Sequence, residues 1–276
     1  MIRHQKIIPL LGAVAVLVLV LFCIPSEKLI IESCPLFFID HSPDDLTLPD
    51  FSSEQNVGRR KVLFFEFMMP MVQFENRRLA DIRQRLIYIQ EHLRNGRTLD
   101  AEDQAWFEGV LVEFRLVGRN VTEKRLWQMV FLRVDQVPDE LVLVQAANES
   151  AWGTSRFAKE GNNLFGQWCF TPGCGMVPEG RAQGDTHEVA RFDTVAQSVA
   201  AYMRNLNSGH AYDELREIRA NLRRVGKPVM ASDLAPGLLR YSQRGEDYVS
   251  ELLAMLRVNT PIIDEIRSPG PDKPEA

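Results

Sequence analysis

The stretch that decides the fold is Pro138-Asp139-Glu140-Leu141-Val142-Leu143-Val144-Gln145-Ala146-Ala147-Asn148-Glu149-Ser150-Ala151-Trp152-Gly153. A proline in the first turn and two acids at the positive end of the dipole mark a helix start. Leu141–Ala147 is apolar on nearly every side, which places this helix in a core rather than on a surface. Glu149 follows two such buried turns. Desolvation and the negative end of the helix dipole both raise a carboxyl pKa there. A carboxyl held protonated near neutral pH serves as a general acid. Taken alone, the position also fits a surface glutamate just past a helix end, so the neighbours have to decide.

Downstream, Thr154–Glu160 reads as a short helix and Leu164–Phe170 as a strand. Thr171-Pro172-Gly173 is a turn signal between Cys169 and Cys174, the arrangement of a hairpin that a disulfide would staple. His187–Phe192 alternates and reads as the returning strand, with Glu188, Ala190 and Phe192 on one face. Asn162-Asn163 between Gly161 and Gly166 is either turn chemistry or a means of aiming amides into a cleft. Helices follow at Thr194–Asn205, Asp213–Arg224 and Tyr248–Arg257. Upstream, ordered helix begins near Lys61. There Leu79, Ile82, Leu86, Ile89 and Leu93 form an amphipathic stripe that Asn95-Gly96 ends. A second helix opens near Asp100, and a third spans Thr122–Val134.

Composition sets the outer limits. Apolar residues make up 45% and charged residues 25% of 276, the mix of a soluble globular chain. The formal charge of −5 argues against a nucleic-acid partner that relies on phosphate neutralisation. The four cysteines, Cys23, Cys34, Cys169 and Cys174, contain no Cys-x-x-Cys pair, and no metal or cofactor is expected. The amino terminus departs from this average. Arg3, His4 and Lys6 precede Ile7–Ile24, a run without charge that spans roughly 27 Å as helix. A cleaved signal peptide is the rival, but no small-x-small site follows Phe22-Cys23-Ile24-Pro25. By the positive-inside rule the basic residues are expected to keep the first six residues cytoplasmic, with the roughly 250 residues after the run exported.

The run Ala147-Asn148-Glu149-Ser150-Ala151-Trp152-Gly153-Thr154-Ser155, followed by Asn162-Asn163-Leu164-Phe165-Gly166, closely resembles the signature of the bacterial glucosaminidases of glycoside hydrolase family 73. Cys169 and Cys174, with Leu239-Arg240-Tyr241-Ser242-Gln243-Arg244-Gly245, look most like the Bax-type subgroup. The resemblance implies an α+β, lysozyme-like fold, with a mainly helical lobe, a small β-hairpin lobe and a glycan groove between them. It implies hydrolysis of β-1,4 bonds after N-acetylglucosamine in peptidoglycan. The family's acid falls on Glu149, and its tyrosine, which steadies water or intermediate, on Tyr241. A second carboxylate falls loosely on Glu188, with Asp185 competing. Trp152, Asn162, Asn163 and Phe165 are expected to shape the sugar site, and Cys169–Cys174 to form a disulfide.

The expected organisation is an anchor at 1–25, a linker at 26–60, helical cover at 61–134, the glucosaminidase domain at 135–260 and a disordered tail at 261–276. The expected partners are peptidoglycan strands and, through the anchor, the bacterial inner membrane, with the catalytic domain in the periplasm. A lytic transglycosylase and a catalytically silent glycan-binding protein of the envelope are the rival functions.

Overall fold

Five helices begin at a side-chain cap: Asn56, Asp100, Thr122, Ser155 and Thr194 each accept the backbone N–H three residues on. The computed structural model of the chain describes residues 46–118, 122–181 and 184–268. The expected anchor (1–25) and the end of the expected tail lie outside these residues. Among them no helix is long and apolar enough to cross a membrane. In chain order the elements are α1 (Val57–Arg94), α2 (Ala101–Glu113), α3 (Glu123–Arg133), α4 (Asp139–Glu149), α5 (Arg156–Gly161), β1 (Trp168–Cys169), β2 (Gly175–Met176), β3 (Glu188–Ala190), α6 (Val195–Ser208), α7 (Asp213–Arg224), α8 (Ala231–Leu234) and α9 (Glu246–Arg267). The class is α+β: a helical body carrying one small antiparallel sheet.

Helix α4 is the centre. Leu141–Ala147 are all buried, as the sequence led one to expect, and α4 packs against both α1 and α9. The stripe Leu79, Ile82, Leu86 and Ile89 is indeed the buried face of α1. That helix starts earlier than Lys61, at Val57, where the Asn56 side chain caps it, and Phe64, Phe65, Met68, Met71 and Val72 extend the same core toward its amino end. The expected linker also ends sooner. Phe51 is buried edge-on against Phe64 and Phe67, so the chain from Phe51 onward belongs to the folded body. At the other end the helix does not stop at Pro261. It continues to Arg267, kept by buried Asn259 and Ile263 and by Arg267 pairing with Asp139 and Glu140 of α4.

The sheet also corrects the expected hairpin. Strands β1 and β2 do not pair with each other; each pairs antiparallel with β3, in the order β1-β3-β2. The expected strands shrink to two or three residues, and several neighbouring backbone groups bond to side chains, Gly173 and Gly175 N–H to Glu188 and both the N–H and the carbonyl of Gln167 to Asn163. The Cys169–Cys174 disulfide forms, and it joins the two outer segments on either side of β3.

Polar side chains hold the segment that enters α4. From α1, Asn76 donates to the Val137 carbonyl (2.7 Å) and accepts the Val137 N–H (3.0 Å). From α7, Arg219 donates to the carbonyls of Leu132 and Gln136 (3.1 and 3.0 Å), and Asn207 of α6 donates to that of Asp135 (2.9 Å). The Asp135 carboxylate meets Arg223 at 2.6 Å and Arg219 at 3.6 Å. Asp135 and Arg219 are 2% and 1% exposed, so neither can turn to water for its charge. Desolvation brings the Arg219 guanidinium down to about 10, against the pull of Asp135. Removing the carboxylate leaves a buried cation uncompensated. Asp135→Ala is expected to cost about 3–5 kcal/mol of stability in urea unfolding, with the slope unchanged.

Candidate active site

The last turn of α4 ends abruptly at Glu149, and the sequence Ser150-Ala151-Trp152-Gly153 builds the stop. The Trp152 N–H reaches back to the Ala147 carbonyl (2.8 Å) and the Ser150 N–H to that of Ala146 (3.1 Å). The bond from Trp152 is the six-to-one closure of a Schellman end, with Ala151 where glycine is usual. Ala151, Trp152 and Gly153 all have positive φ (50°, 60° and 75°). The two non-glycine residues cost about 1–3 kcal/mol each in that region. Ser150 holds the turn: its hydroxyl donates to the Ala146 carbonyl (2.6 Å) and accepts the Gly153 N–H (2.7 Å). Gly153 must be glycine for a second reason, since a Cβ there would lie 2.7 Å from the Phe51 ring.

This stop leaves Glu149 half-buried at the negative end of the α4 dipole. The Tyr248 hydroxyl, from the first turn of α9, donates to Glu149 Oε1 at 2.9 Å. The Asn148 amide donates to the same oxygen at 3.4 Å. Oε2 takes no hydrogen bond from the described residues and is open to solvent. Burial holds the Glu149 carboxyl above its ordinary range and Glu251 adds to this; Tyr248, Asn148 and Arg244 pull the other way without reversing it. Burial and the Glu149 charge together push the Tyr248 phenol upward, so it stays a proton donor.

Tyr241 stacks on Tyr248 (5.2 Å, 18°), which brings it beside the acid. Its hydroxyl is already engaged, donating to the Phe165 carbonyl at 2.8 Å. The other expected sugar-site residues are placed differently from one another. Trp152 is half-buried, edge-on to Phe64 and Phe65, with the Lys61 ammonium 5.1 Å from its ring. Phe165 is 2% exposed and stacked on Tyr202 at 3.9 Å, so its ring belongs to the core. Asn162 donates to the Phe192 and Asp193 carbonyls, and Asn163 to those of Gln167 and Ala190. Both amides are spent on the backbone that carries the sheet, so they build the wall and do not reach into a cleft.

Glu188 is buried in the sheet, and its two oxygens accept the N–H groups of Gly173 (3.0 Å) and Gly175 (2.8 Å). Those bonds hold its carboxyl below the usual range. It therefore ties the 171–175 turn to β3, and both of its oxygens are occupied. The sulfurs of Cys169 and Cys174 converge on the same carboxylate, but they are bonded to each other and offer no thiolate to a metal. Asp185 is exposed, 3.8 Å from His187.

Sequence reasoning missed Tyr248, Gln145 and Tyr202. Gln145 is fully buried one turn before Glu149; its amide donates to the Tyr248 hydroxyl (2.9 Å) and accepts the hydroxyl of Tyr202. One signal was available: a lone amide in an apolar run, four residues before a carboxylate and so on the same helix face. For Tyr248 the signal was its place in the first turn of a helix, seven residues after Tyr241.

A half-buried acid ending a core helix, beside stacked tyrosines and a small disulfide-tied sheet, defines the class to which this chain belongs. Residues 131–260 match the family described as mannosyl-glycoprotein endo-beta-N-acetylglucosaminidase. The chain is also 33% identical over 223 residues to Protein bax of Escherichia coli (strain K12), covering 81% of this chain and 78% of that one. The chain belongs to this glucosaminidase family, among its Bax-type members, and the domain is of glycoside hydrolase type. No solved structure matches it.

The raised Glu149 carboxyl makes stability depend on pH with a definite sign. The unfolded carboxyl ionises near 4.3, the folded one higher, so between these the unfolded state loses its proton first. The favourable contribution of the protonated group is complete below the unfolded value and is lost as pH rises through the folded one. Glu149→Gln, which stays neutral, is expected to gain in melting temperature relative to the wild type as pH rises from about 4 to about 8. Parallel melting curves across that range check it.

Proposed function

We propose that this chain is a peptidoglycan hydrolase, an endo-β-N-acetylglucosaminidase of lysozyme-like architecture, with Glu149 as its general acid. The observation that carries the reading is the asymmetry of the carboxyl: Oε1 held by Tyr248, Oε2 open to solvent, with burial raising the pKa of the whole group. In this reading Glu149 Oε2–H gives its proton to the glycosidic oxygen as the bond to the anomeric carbon breaks. Tyr248 and Asn148, already donating to Oε1, then stabilise the carboxylate that remains. Water adds at the anomeric carbon, and its proton returns to Glu149.

Support for the developing positive centre comes, in this reading, from the substrate. Both oxygens of Glu188 are occupied, and the 2-acetamido group of N-acetylglucosamine can stand in for a protein nucleophile. Tyr241 lies beside Tyr248, where its phenol oxygen can still accept a hydrogen bond while its proton rests on the Phe165 carbonyl. The disulfide supports an oxidising compartment. We propose that the domain lies in the periplasm, with the charge-free run Ile7–Ile24 supporting a tether to the inner membrane by residues 1–25.

Glu149→Gln is expected to lower turnover at least about 10²-fold, measured on purified peptidoglycan. Mass spectrometry of the wild-type digest reads bond and chemistry together. A reducing N-acetylglucosamine end is the expected product, whereas a 1,6-anhydro-muramyl end would assign the chain to the lytic transglycosylases. Full turnover by Glu149→Gln would remove Glu149 from the chemistry.

Tyr241→Phe is expected to cost about 1 kcal/mol of stability through the lost bond to Phe165. It is also expected to lower kcat about tenfold or more with KM little changed. A wild-type kcat accompanied by the stability loss would confine the hydroxyl to joining α9's approach to the sheet.

A further inference from the structure

Gln145 is a primary amide at zero exposure, inside a helix that is apolar from Leu141 to Ala147 apart from this residue. Burying an amide is unfavourable unless both of its halves are bonded, and here both are. They are used in one direction only. The Tyr202 hydroxyl donates to Gln145 Oε1, Gln145 Nε2 donates to the Tyr248 oxygen, and the Tyr248 hydroxyl donates to Glu149 Oε1. Three elements supply the chain: α6 gives Tyr202, α4 gives Gln145 and Glu149, and α9 gives Tyr248.

A phenol has a single proton. With the Gln145 N–H on its oxygen, Tyr248 keeps that proton free to donate, and Glu149 Oε1 accepts it. The amide turned the other way would set its carbonyl against Tyr248. Tyr248 would then donate to Gln145, and Glu149 would have to donate its own proton inward from Oε1. The two directions place the acid proton on opposite oxygens of the same carboxyl. Of these oxygens, Oε1 is taken by Tyr248 and Asn148, whereas Oε2 has no hydrogen bond from the described residues.

We infer that Gln145 is a positioning residue: braced by Tyr202, it aims the Tyr248 hydroxyl at Glu149 Oε1 and so keeps the acid proton on Oε2, where a glycosidic oxygen can receive it. The inference rests on Glu149 being the general acid. The groups that act electrostatically on or with Glu149 are Tyr202, Tyr212, Tyr241 and Tyr248, together with Glu251 and Arg244 of the α9 region. Of these only Tyr248 hydrogen-bonds to the carboxyl, and among the described residues only the side chains of Gln145 and Glu149 hydrogen-bond to the Tyr248 hydroxyl, so the direction of donation passes through the amide.

The test uses neutral replacements in the full chain, so that no new charge moves the titration by itself. Gln145→Met keeps length and volume and removes both halves of the amide. Tyr202→Phe keeps the ring on Phe165 and removes only the brace. The Glu149 carboxyl is followed by ¹³C NMR, its signal assigned by disappearance in Glu149→Gln, and kcat and KM are measured on peptidoglycan. In both variants the Glu149 titration is expected to move up, because a donor to its charged form is no longer held in place. The alkaline limb of kcat should move up with it, and kcat should fall about tenfold with KM little changed. An unmoved titration overturns the inference, even if kcat falls, since packing alone would do that. A moved titration with wild-type kcat overturns it as well, because the proton would then need no positioning. If Gln145→Met does not fold, Tyr202→Phe decides by the same readouts. An active Glu149→Gln overturns the acid assignment and this inference together. An inactive Glu149→Gln beside an unmoved Gln145→Met overturns this inference alone.

Discussion

Helix α4 has no solvent face between Leu141 and Ala147, and the rest of the structure answers that constraint. A buried helix cannot hand its unpaired end groups to water, so protein atoms must hold both ends. At the entrance Asn76, Arg219 and Asn207 reach in from three other helices and fix the backbone from Leu132 to Val137. At the exit the Ser150 hydroxyl and a left-handed turn close the last carbonyls. What emerges beyond that exit is a carboxyl whose position is set from both ends of its helix.

The acid and its partners then follow from packing. Helices α1 and α9 cover α4, and the first turn of α9 delivers Tyr248 to Glu149. Tyr241 stacks on that tyrosine and bonds to the Phe165 carbonyl, while the Phe165 ring stacks on Tyr202. Tyrosine rings flank the carboxyl, and burial outweighs its hydrogen bonds in the direction of its pKa, with the charges of Glu251 and Arg244 acting in opposite senses. The strained turn at Ala151-Trp152 is paid for by the same packing: Trp152 is braced against Phe64 and Phe65.

The sheet plays a different part. Its strands are two or three residues long and would not persist alone. The disulfide, the Glu188 carboxylate on two turn N–H groups and the Asn163 amide on two carbonyls hold them together. Residues that look like sugar ligands in the one-dimensional motif therefore spend their polar atoms on the wall.

Much of this was legible before any coordinates. The apolar run from Leu141, the acids at its start and the Glu149-Ser150 ending are local facts, and periodicity and helix-end chemistry read them directly. The stripe on α1 was legible for the same reason, whereas the α+β class came from the family resemblance and the cap at Asn56 went unread. The sequence by itself thus determined where the acid stands and what would raise its pKa. What pairs with it was decided by tertiary structure alone. Tyr248 lies 99 residues from Glu149 along the chain, and Tyr202 57 from Gln145. Glu188 and Asn163 carry the residue types of a site, yet their partners are backbone groups brought near only by the sheet. A hydrogen bond depends on distances of about 3 Å between specific atoms, and no local pattern encodes which distant atom will arrive there.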